Sequence, residues 1–318
     1  MKKKLIIKSI VLMIVFSIIG MSAFTMNIEK ADAATTTIVN PYNNQLAVNT
    51  KANDIIQTAK SFIGRATYAT SSAEVSTTYP YKFRCASFMN FIFEYNGADL
   101  ATSDENNMIQ QGYYVPRDQL QKGDLVFFDS TPTDGDPTNH VGLYIGDNKI
   151  IHMANTKLNV VISDLNSTSY YRNSYVGARR VLPSLLSANP ATKGDKIVST
   201  SFDLKDKVTI SSTTNNVNSL TFTNGGLVNY IFMKNGINLS TQDIKEQMKL
   251  GKGVSKSNLQ KGDLVFFSNS TGSTNPGTVG IYAGDHRLIL CTPTNGIYTR
   301  VDLLDYYKQH YITARRVF

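Results

Sequence analysis

At 318 residues the chain is about twice the common domain size, so two domains are expected rather than one. Its formal net charge of +8 is a modest excess that suits an anionic surface. The excess is not gathered into a basic stripe interleaved with aromatics, which argues against nucleic acid as a partner.

The first predicted element is a secretory signal. Met1-Lys2-Lys3-Lys4 is a charged start, Leu5 to Phe24 carries an apolar run, and Ala31-Asp32-Ala33 is a small-residue cleavage site. The run approaches the length of a membrane span, but Ser and Gly interrupt it and a cleavage site follows, which favours export over anchoring. Loss of residues 1–33 removes five lysines with Glu29 and Asp32, leaving a net charge of about +5. No other stretch is long and apolar enough to cross a bilayer. The expectation is a secreted protein, extracellular or wall-associated, with no membrane span after cleavage.

Residues 34–50 are rich in Thr, Asn and Ala with little apolar periodicity, and are expected to be a flexible lead-in. From Asp54 to Ile63, the stripe Ile55, Ile56, Ala59 and Phe62 predicts a helix that Asp54 can cap. Cys85 opens a second predicted helix, because Cys85, Phe88, Met89, Ile92 and Tyr95 follow helical spacing and Asn96-Gly97 is a stop. Leu125 to Phe128 predicts a strand. His140 to Ile145 alternates, with Val141, Leu143 and Ile145 on one face and His140, Gly142 and Tyr144 on the other. After Gly146-Asp147-Asn148, Lys149 to Met153 is the predicted return strand and Tyr175 to Leu182 another. Residues 183–194 read as a linker by their Pro, Ser and Gly content. Helices first and antiparallel strands later make an α+β domain.

The second half repeats the first. QKGDLVFF stands at both 121–128 and 260–267, and RCASFMNFIFEYNGADL (84–100) matches TNGGLVNYIFMKNGINL (223–239). NHVGLYIGDNKIIHM (139–153) matches GTVGIYAGDHRLILC (277–291), and YYRNSYVGARRVL (170–182) matches YYKQHYITARRVF (306–318). A nearly constant offset of 136–139 residues marks a duplicated domain, 51–182 and 195–318. Packing residues recur, whereas three reactive side chains do not: Cys85 becomes Asn224, His140 becomes Thr278 and His152 becomes Leu290.

That shared loss separates chemistry from packing. A thiol in the first turn of a helix sits among unpaired N–H groups and the positive end of the helix dipole, which favour the thiolate. An imidazole beside it can exchange its proton, and a third polar group can fix the imidazole's tautomer. Cys85, His140 and His152 can fill these roles. The two imidazoles share a face only if the loop between their strands holds an odd number of residues, as in a three-residue loop centred on Gly146. A Cys85–Cys291 disulfide is disfavoured because the two positions are not equivalent, Cys291 aligning with Met153. A metal on Cys85, His140 and His152 lacks a fourth ligand at the usual spacing.

A Cys opening a helix in x-C-x-x-F-x-x-x-x-F, then L-x-x-G-D-L-V-F-F, H-V-G-x-Y-x-G and I-I-H, resembles the NlpC-type cell-wall peptidases of bacteria (the NlpC and p-sixty family). The resemblance covers nearly all of 51–182 and, in degenerate form, 196–318. It implies a papain-like α+β fold with N-terminal helices packed on an antiparallel sheet, duplicated in tandem. It implies no cofactor, peptidoglycan or muropeptides as substrate, and cleavage between γ-D-glutamyl and a diamino acid; anionic wall polymers are compatible partners. Cys85 matches the nucleophile, His140 the base, His152 the orienting residue and Tyr68 the tyrosine near the oxyanion site. The family commonly has Asp-Cys-Ser at the nucleophile, where the Asp and Ser hold a substrate amino group. Here Arg84-Cys85-Ala86 stands instead, and a cation at Arg84 would repel an ammonium and attract a carboxylate. The alternatives are the same chemistry on another amide or in acyl transfer, and a wall-binding protein with little activity. The second repeat, without Cys or His at the matching positions, is expected to bind or dock rather than to catalyse.

Overall fold

Val48, Ala52, Ile55, Ile56 and Ala59 recur at helical spacing and are buried, which makes Gln45–Ser61 one helix, α1. The computed structural model describes residues 38–318, so the predicted signal and the start of the lead-in lie outside the described residues. The lead-in expected to be flexible through Thr50 is therefore helical from Gln45. Its polar composition hid a stripe that is thin upstream of Ile55, with only Val48 and Ala52 to carry it. The helix begins after Asn44 rather than at Asp54. Asn44 is buried and donates to the carbonyls of Pro183 (3.1 Å) and Ser187 (2.9 Å), partners 139 and 143 residues away.

Chain order continues through β1 (Ala66–Tyr68), β2 (Tyr81–Phe83), α2 (Cys85–Tyr95), α3 (Glu105–Met108), β3 (Tyr113–Val115), β4 (Leu125–Phe128) and β5 (His140–Gly146). It closes the first repeat with β6 (Lys149–Met153), β7 (Val160–Asp164), α4 (Ser169–Asn173), β8 (Tyr175–Arg180) and α5 (Leu182–Leu185). The second repeat runs α6 (Lys193–Asp203), β9 (Thr209–Ile210), β10 (Thr221–Phe222), α7 (Asn224–Lys234), α8 (Ile244–Gln247), β11 (Lys252–Val254) and β12 (Leu264–Ser268). It ends with β13 (Pro276–Gly284), β14 (Arg287–Thr292), β15 (Gly296–Val301), α9 (Asp305–His310) and β16 (Tyr311–Arg316). Among the described residues no helix is long and apolar enough to cross a membrane.

Each repeat holds a six-stranded antiparallel sheet, and the strand orders β3-β8-β4-β5-β6-β7 and β11-β16-β12-β13-β14-β15 are the same topology. The duplicated α+β architecture is therefore present in three dimensions. Each sheet buries one face against its own helices: Phe127, Val141 and Leu143 pack with Ile55, Phe88 and Met89, and Phe266, Val279 and Ile281 pack with Ile197, Leu227 and Val228.

The repeated octapeptide is structural. Asp124 accepts the Gln121 N–H and is paired with Arg180 at 2.8 Å, and Asp263 accepts the Gln260 N–H and is paired with Arg316 at 2.7 Å. Between them Gly123 and Gly262 turn the chain at φ +96° and +91°, a region that side chains rarely adopt.

The segment 183–194, read as a linker, is packed. Leu182–Leu185 is a buried helical turn, and the β8 strand stops at Arg180. Thr192 accepts the Asp195 N–H at 3.0 Å and Asp195 accepts the Thr192 N–H at 2.9 Å, a reciprocal cap that starts α6. Its Pro and Ser content misled because Pro183, Ser184 and Leu185 are covered by tertiary contacts rather than by solvent.

Candidate active site

Helix α2 begins at Cys85 because Arg84 is extended (φ −90°, ψ 172°) and Ser87 accepts the Arg84 N–H at 2.8 Å. Arg84 itself contributes no side-chain cap, since a guanidinium cannot accept. The Cys85 sulfur is buried and takes hydrogen bonds from the N–H groups of Ala86 and Val141, the second belonging to the residue that follows His140. Those donors, the helix start and the Arg84 charge favour the thiolate. Burial opposes them and wins, with the Glu105 carboxylate adding to it, so the thiol is pushed up to about 11. The thiolate expected from the helix position alone is thus outweighed by desolvation.

His140 and His152 are brought together on one face. The His140 Nε2 lies 2.7 Å from His152 Nδ1. The turn that achieves this differs from a three-residue loop. Asp147 and Asn148, at φ +52° and +59°, form a two-residue turn, and a bulge at Ile145 supplies the extra residue that restores parity. Leu143 pairs with Ile151, and the same register sets Gly142 opposite His152. The imidazoles are therefore diagonal rather than directly opposed. Gly142 makes room between them, because a Cβ there would stand 3.2 Å from the Cβ of His152.

Both rings are buried, His140 beside Phe128 (6.1 Å between centroids) and His152 beside Tyr171 (5.9 Å). Burial lowers His140 to about 4, and burial together with the His140 charge lowers His152 to about 3, so both are neutral near pH 7. The approach to His140 is fixed by its preceding loop, where Asn139 donates to Asp129 (2.9 Å) and Thr131 (2.8 Å).

Cys85 and His140 are joined through the backbone of β5 and through Tyr170, whose hydroxyl feels the Cys85 charge and whose ring stacks on Phe128 at 5.8 Å. Among the described residues no sulfur–imidazole hydrogen bond is formed; catalytic contacts of this kind commonly tighten only when substrate binds. Tyr68 pairs in register with Phe83, two residues before Cys85, and packs half-buried on the same core. Its N–H donates to the Asn159 Oδ1 at 2.9 Å. Arg84 is exposed at the mouth of the helix start. Cys85 and Cys291 are both free thiols.

Three residues outside the sequence-based set complete the site. His152 Nε2 lies 3.0 Å from Ser163 Oγ and 3.3 Å from the Tyr171 hydroxyl, which itself donates to Ser163 at 2.9 Å. Glu105, in α3, is within electrostatic reach of Cys85 and Arg84. A signal for Ser163 existed: it pairs with Ile150, as Arg300 pairs with Leu288, so Ser163 too is lost in the second repeat. That signal is readable only once β7 is known, and β7 was not predicted.

In the second repeat Asn224 takes the Cys85 position and spans the strand, accepting from the Val279 N–H (2.8 Å) and donating to the Val279 carbonyl (2.9 Å). Thr223 caps the helix by accepting the Gly226 N–H at 3.1 Å. Leu290 stands across from Gly280, where His152 stands across from Gly142.

The NlpC/P60 family pattern matches residues 67–180 and 210–316. The chain is 31% identical over 212 residues to a gamma-DL-glutamyl hydrolase of Bacillus subtilis, an alignment covering 66% of this chain and 49% of that protein. It is 35% identical over 132 residues to a gamma-D-glutamyl-L-lysine dipeptidyl-peptidase of Bacillus cereus (42% of this chain, 37% of that protein). It is 28% identical over 150 residues to a peptidoglycan DL-endopeptidase of Bacillus licheniformis (44% and 31%). The chain thus spans about half, or less, of the length of these relatives.

Proposed function

From the premise that the chain belongs to the NlpC/P60 family, its pattern matching both repeats, we propose that it is a secreted bacterial cysteine peptidase. On this reading it hydrolyses amide bonds in peptidoglycan stem peptides, between γ-D-glutamyl and a diamino acid. The observation that carries the reading is the 2.7 Å His140–His152 pair held at the strand whose backbone also binds the Cys85 sulfur.

The thiol and both imidazoles are neutral at rest, so the proton moves with attack rather than before it. His140 takes the Cys85 proton on Nδ1 as sulfur bonds to the scissile carbonyl carbon. For that, His140 carries its own proton on Nε2 and donates it to His152 Nδ1. His152 is then protonated on Nε2 and donates to Ser163, whose oxygen also receives the Tyr171 hydroxyl. The chain of donors fixes one tautomer throughout. The carbonyl oxygen gains negative charge at the uncapped start of α2, where the Cys85 N–H is available as a donor. The C–N bond then breaks, the His140 imidazolium protonates the leaving amine, and water deprotonated by His140 hydrolyses the thioester to release the acid. Tyr68, two residues from the nucleophile across the β1–β2 pair, borders the oxyanion side.

A second reading concerns substrate. Arg84 is exposed beside the nucleophile, and the gamma-DL-glutamyl hydrolase gives the longest of these alignments. A cation there fits a γ-linked glutamyl chain with free carboxylates better than a stem peptide with a free ammonium. Digestion of purified muropeptides and of poly-γ-glutamate, read by mass spectrometry with wild type and Cys85→Ala, tests both. New termini at γ-glutamyl bonds in muropeptides support the first reading, and cleavage of the polymer alone supports the second. Products that persist in Cys85→Ala reject the cysteine mechanism.

A further inference from the structure

Residues 99–112 leave the end of α2, form α3 and return to β3. They run along the candidate site: Met108 is buried in the same core as Cys85 and Ala86, and the Glu105 carboxylate, three residues earlier, is within electrostatic reach of Cys85 and Arg84. The second repeat shows how close such a segment lies. There the Gln242 carbonyl and Ile244 press on Gly225, the position equivalent to Ala86.

Both ends of 99–112 are held by the other repeat. At the first end Arg287 donates to the Asp99 carbonyl at 3.1 Å, and the Thr299 hydroxyl donates to the Asp99 carboxylate. At the second end the Gly112 N–H donates to both carboxylate oxygens of Asp285, at 2.8 and 2.9 Å. Asp285 also accepts from Ser184 at 2.6 Å. Arg287 is 1% exposed and donates further to the carbonyls of Ser184, Ala283 and Gly284. A guanidinium buried this fully, whose carbonyl partners come from its own strand end, from Asp99 and from Ser184, has no substitute in water and holds those three segments at fixed separation.

These contacts are not a generality of the domain. The counterpart of Arg287 is Lys149, that of Asp99 is Asn238 and that of Thr299 is Ile162. Three of the joining residues thus differ between the copies; the fourth, Asp285, has an aspartate counterpart in Asp147 and joins the copies through its place rather than its type.

We propose that the second repeat is a positioning element for the first: Asp285, Arg287 and Thr299 clamp residues 99–112 at both ends, so that the wall carrying Glu105 is held in place beside Cys85. This rests on the peptidase reading for its effect on turnover. The clamp itself is independent of it. The segment closes on itself through Gln111, which donates to the Leu100 carbonyl at 2.8 Å, so displacement of either end moves the whole wall.

The test uses the full chain with Asp285→Asn, Arg287→Met and Arg287→Lys. Three measurements are made: amide hydrogen exchange across 100–112, alkylation of Cys85 by iodoacetamide, and kcat and KM on muropeptides. Asp285→Asn and Arg287→Met are expected to accelerate exchange in this segment by about tenfold to a hundredfold, as loss of a charged buried hydrogen bond implies. They are expected to change the alkylation rate and to lower kcat more than they raise KM, with Arg287→Lys partly restoring each. Unchanged exchange overturns the proposal. So does faster exchange with wild-type alkylation and kcat, which would make the contact purely a matter of stability. Should Arg287→Met fail to fold, Thr299→Val, which removes a single hydroxyl, is read in the same way. If wild type cleaves no muropeptide the peptidase reading fails, while exchange and alkylation still decide the clamp.

Discussion

The first turn of α2 and the first turn of α7 occupy equivalent places and end in opposite ways. In α7, Thr223 caps the helix and Asn224 bonds both backbone groups of Val279, so the Gly226 N–H and both ends of the Asn224 amide have partners within the protein. In α2, Arg84 provides no cap and a thiol stands where the amide would be. The second repeat shows what this helix start looks like when stability alone is served. The first repeat exchanges those amide bonds for N–H contacts from Ala86 and Val141 to the Cys85 sulfur, and so places a reactive group at the helix start.

The sharpest way to break this comparison is to exchange the consequences at one position. Cys85→Ala is expected to abolish amide cleavage, by about 10⁴-fold or more, with little loss of thermal stability. Asn224→Ala should leave turnover unchanged and destabilise by about 1–3 kcal/mol, since it strands a buried N–H and carbonyl. Peptide turnover and urea denaturation of the two variants check this, and a rate loss in Asn224→Ala would mean that the helix start of the second repeat also bears on turnover.

The imidazoles come next in size. His140→Ala is expected to lower kcat by about 10²–10⁴-fold. His152→Leu, which copies the second repeat, should fall part of that way, and His152→Asn less, because an amide can still accept from His140. A wild-type rate in His152→Leu would remove His152 from the site. Both imidazoles bind protons more weakly folded than unfolded, so their burial destabilises as pH falls from the ordinary histidine range to about 4; thermal melts from pH 7 to 4 should show that loss. The buried thiol predicts the opposite limb. Iodoacetamide labelling of Cys85 should climb with pH toward about 11, and a rate flat between pH 5 and 8 would reveal a preformed ion pair.

Arg84 carries a smaller effect. Arg84→Asp is expected to shift kcat/KM toward substrates with a free amine over N-acetylated ones by roughly tenfold, about 1.4 kcal/mol, and added salt should weaken the shift because the side chain is exposed. Equal ratios before and after the change would place Arg84 outside the substrate path. The smallest change expected is from restoring the second repeat. Asn224→Cys, Thr278→His and Leu290→His together should give at most feeble cleavage, because Arg300 replaces Ser163 behind the second imidazole and Asn215 fills the space beside Gly226.

The sequence by itself determined the duplication, the α+β order of elements and the loss of Cys85, His140 and His152 from the second copy. Each of these is written in local spacing or in the difference between two aligned copies, and α2 begins and stops where the Cys85 stripe and Asn96-Gly97 predicted. What it could not determine rests on partners far apart in the chain. Helix α1 extends back to Gln45 because Asn44 bonds to residues near 185, and the region read as a linker is ordered because both repeats cover it. Periodicity sees neither. The turn between the imidazoles was legible as a parity condition but not as a solution, since a two-residue turn with a bulge and a three-residue loop satisfy it equally. Ser163 comes from a strand with no recognisable pattern and reaches His152 through the sheet register, while Tyr171 lies in a repeated segment and recurs as Tyr307, so the comparison of copies did not mark it. The charge state of the thiol was decided last and in three dimensions, because helix position favours the thiolate while burial, which the tertiary structure alone supplies, outweighs it.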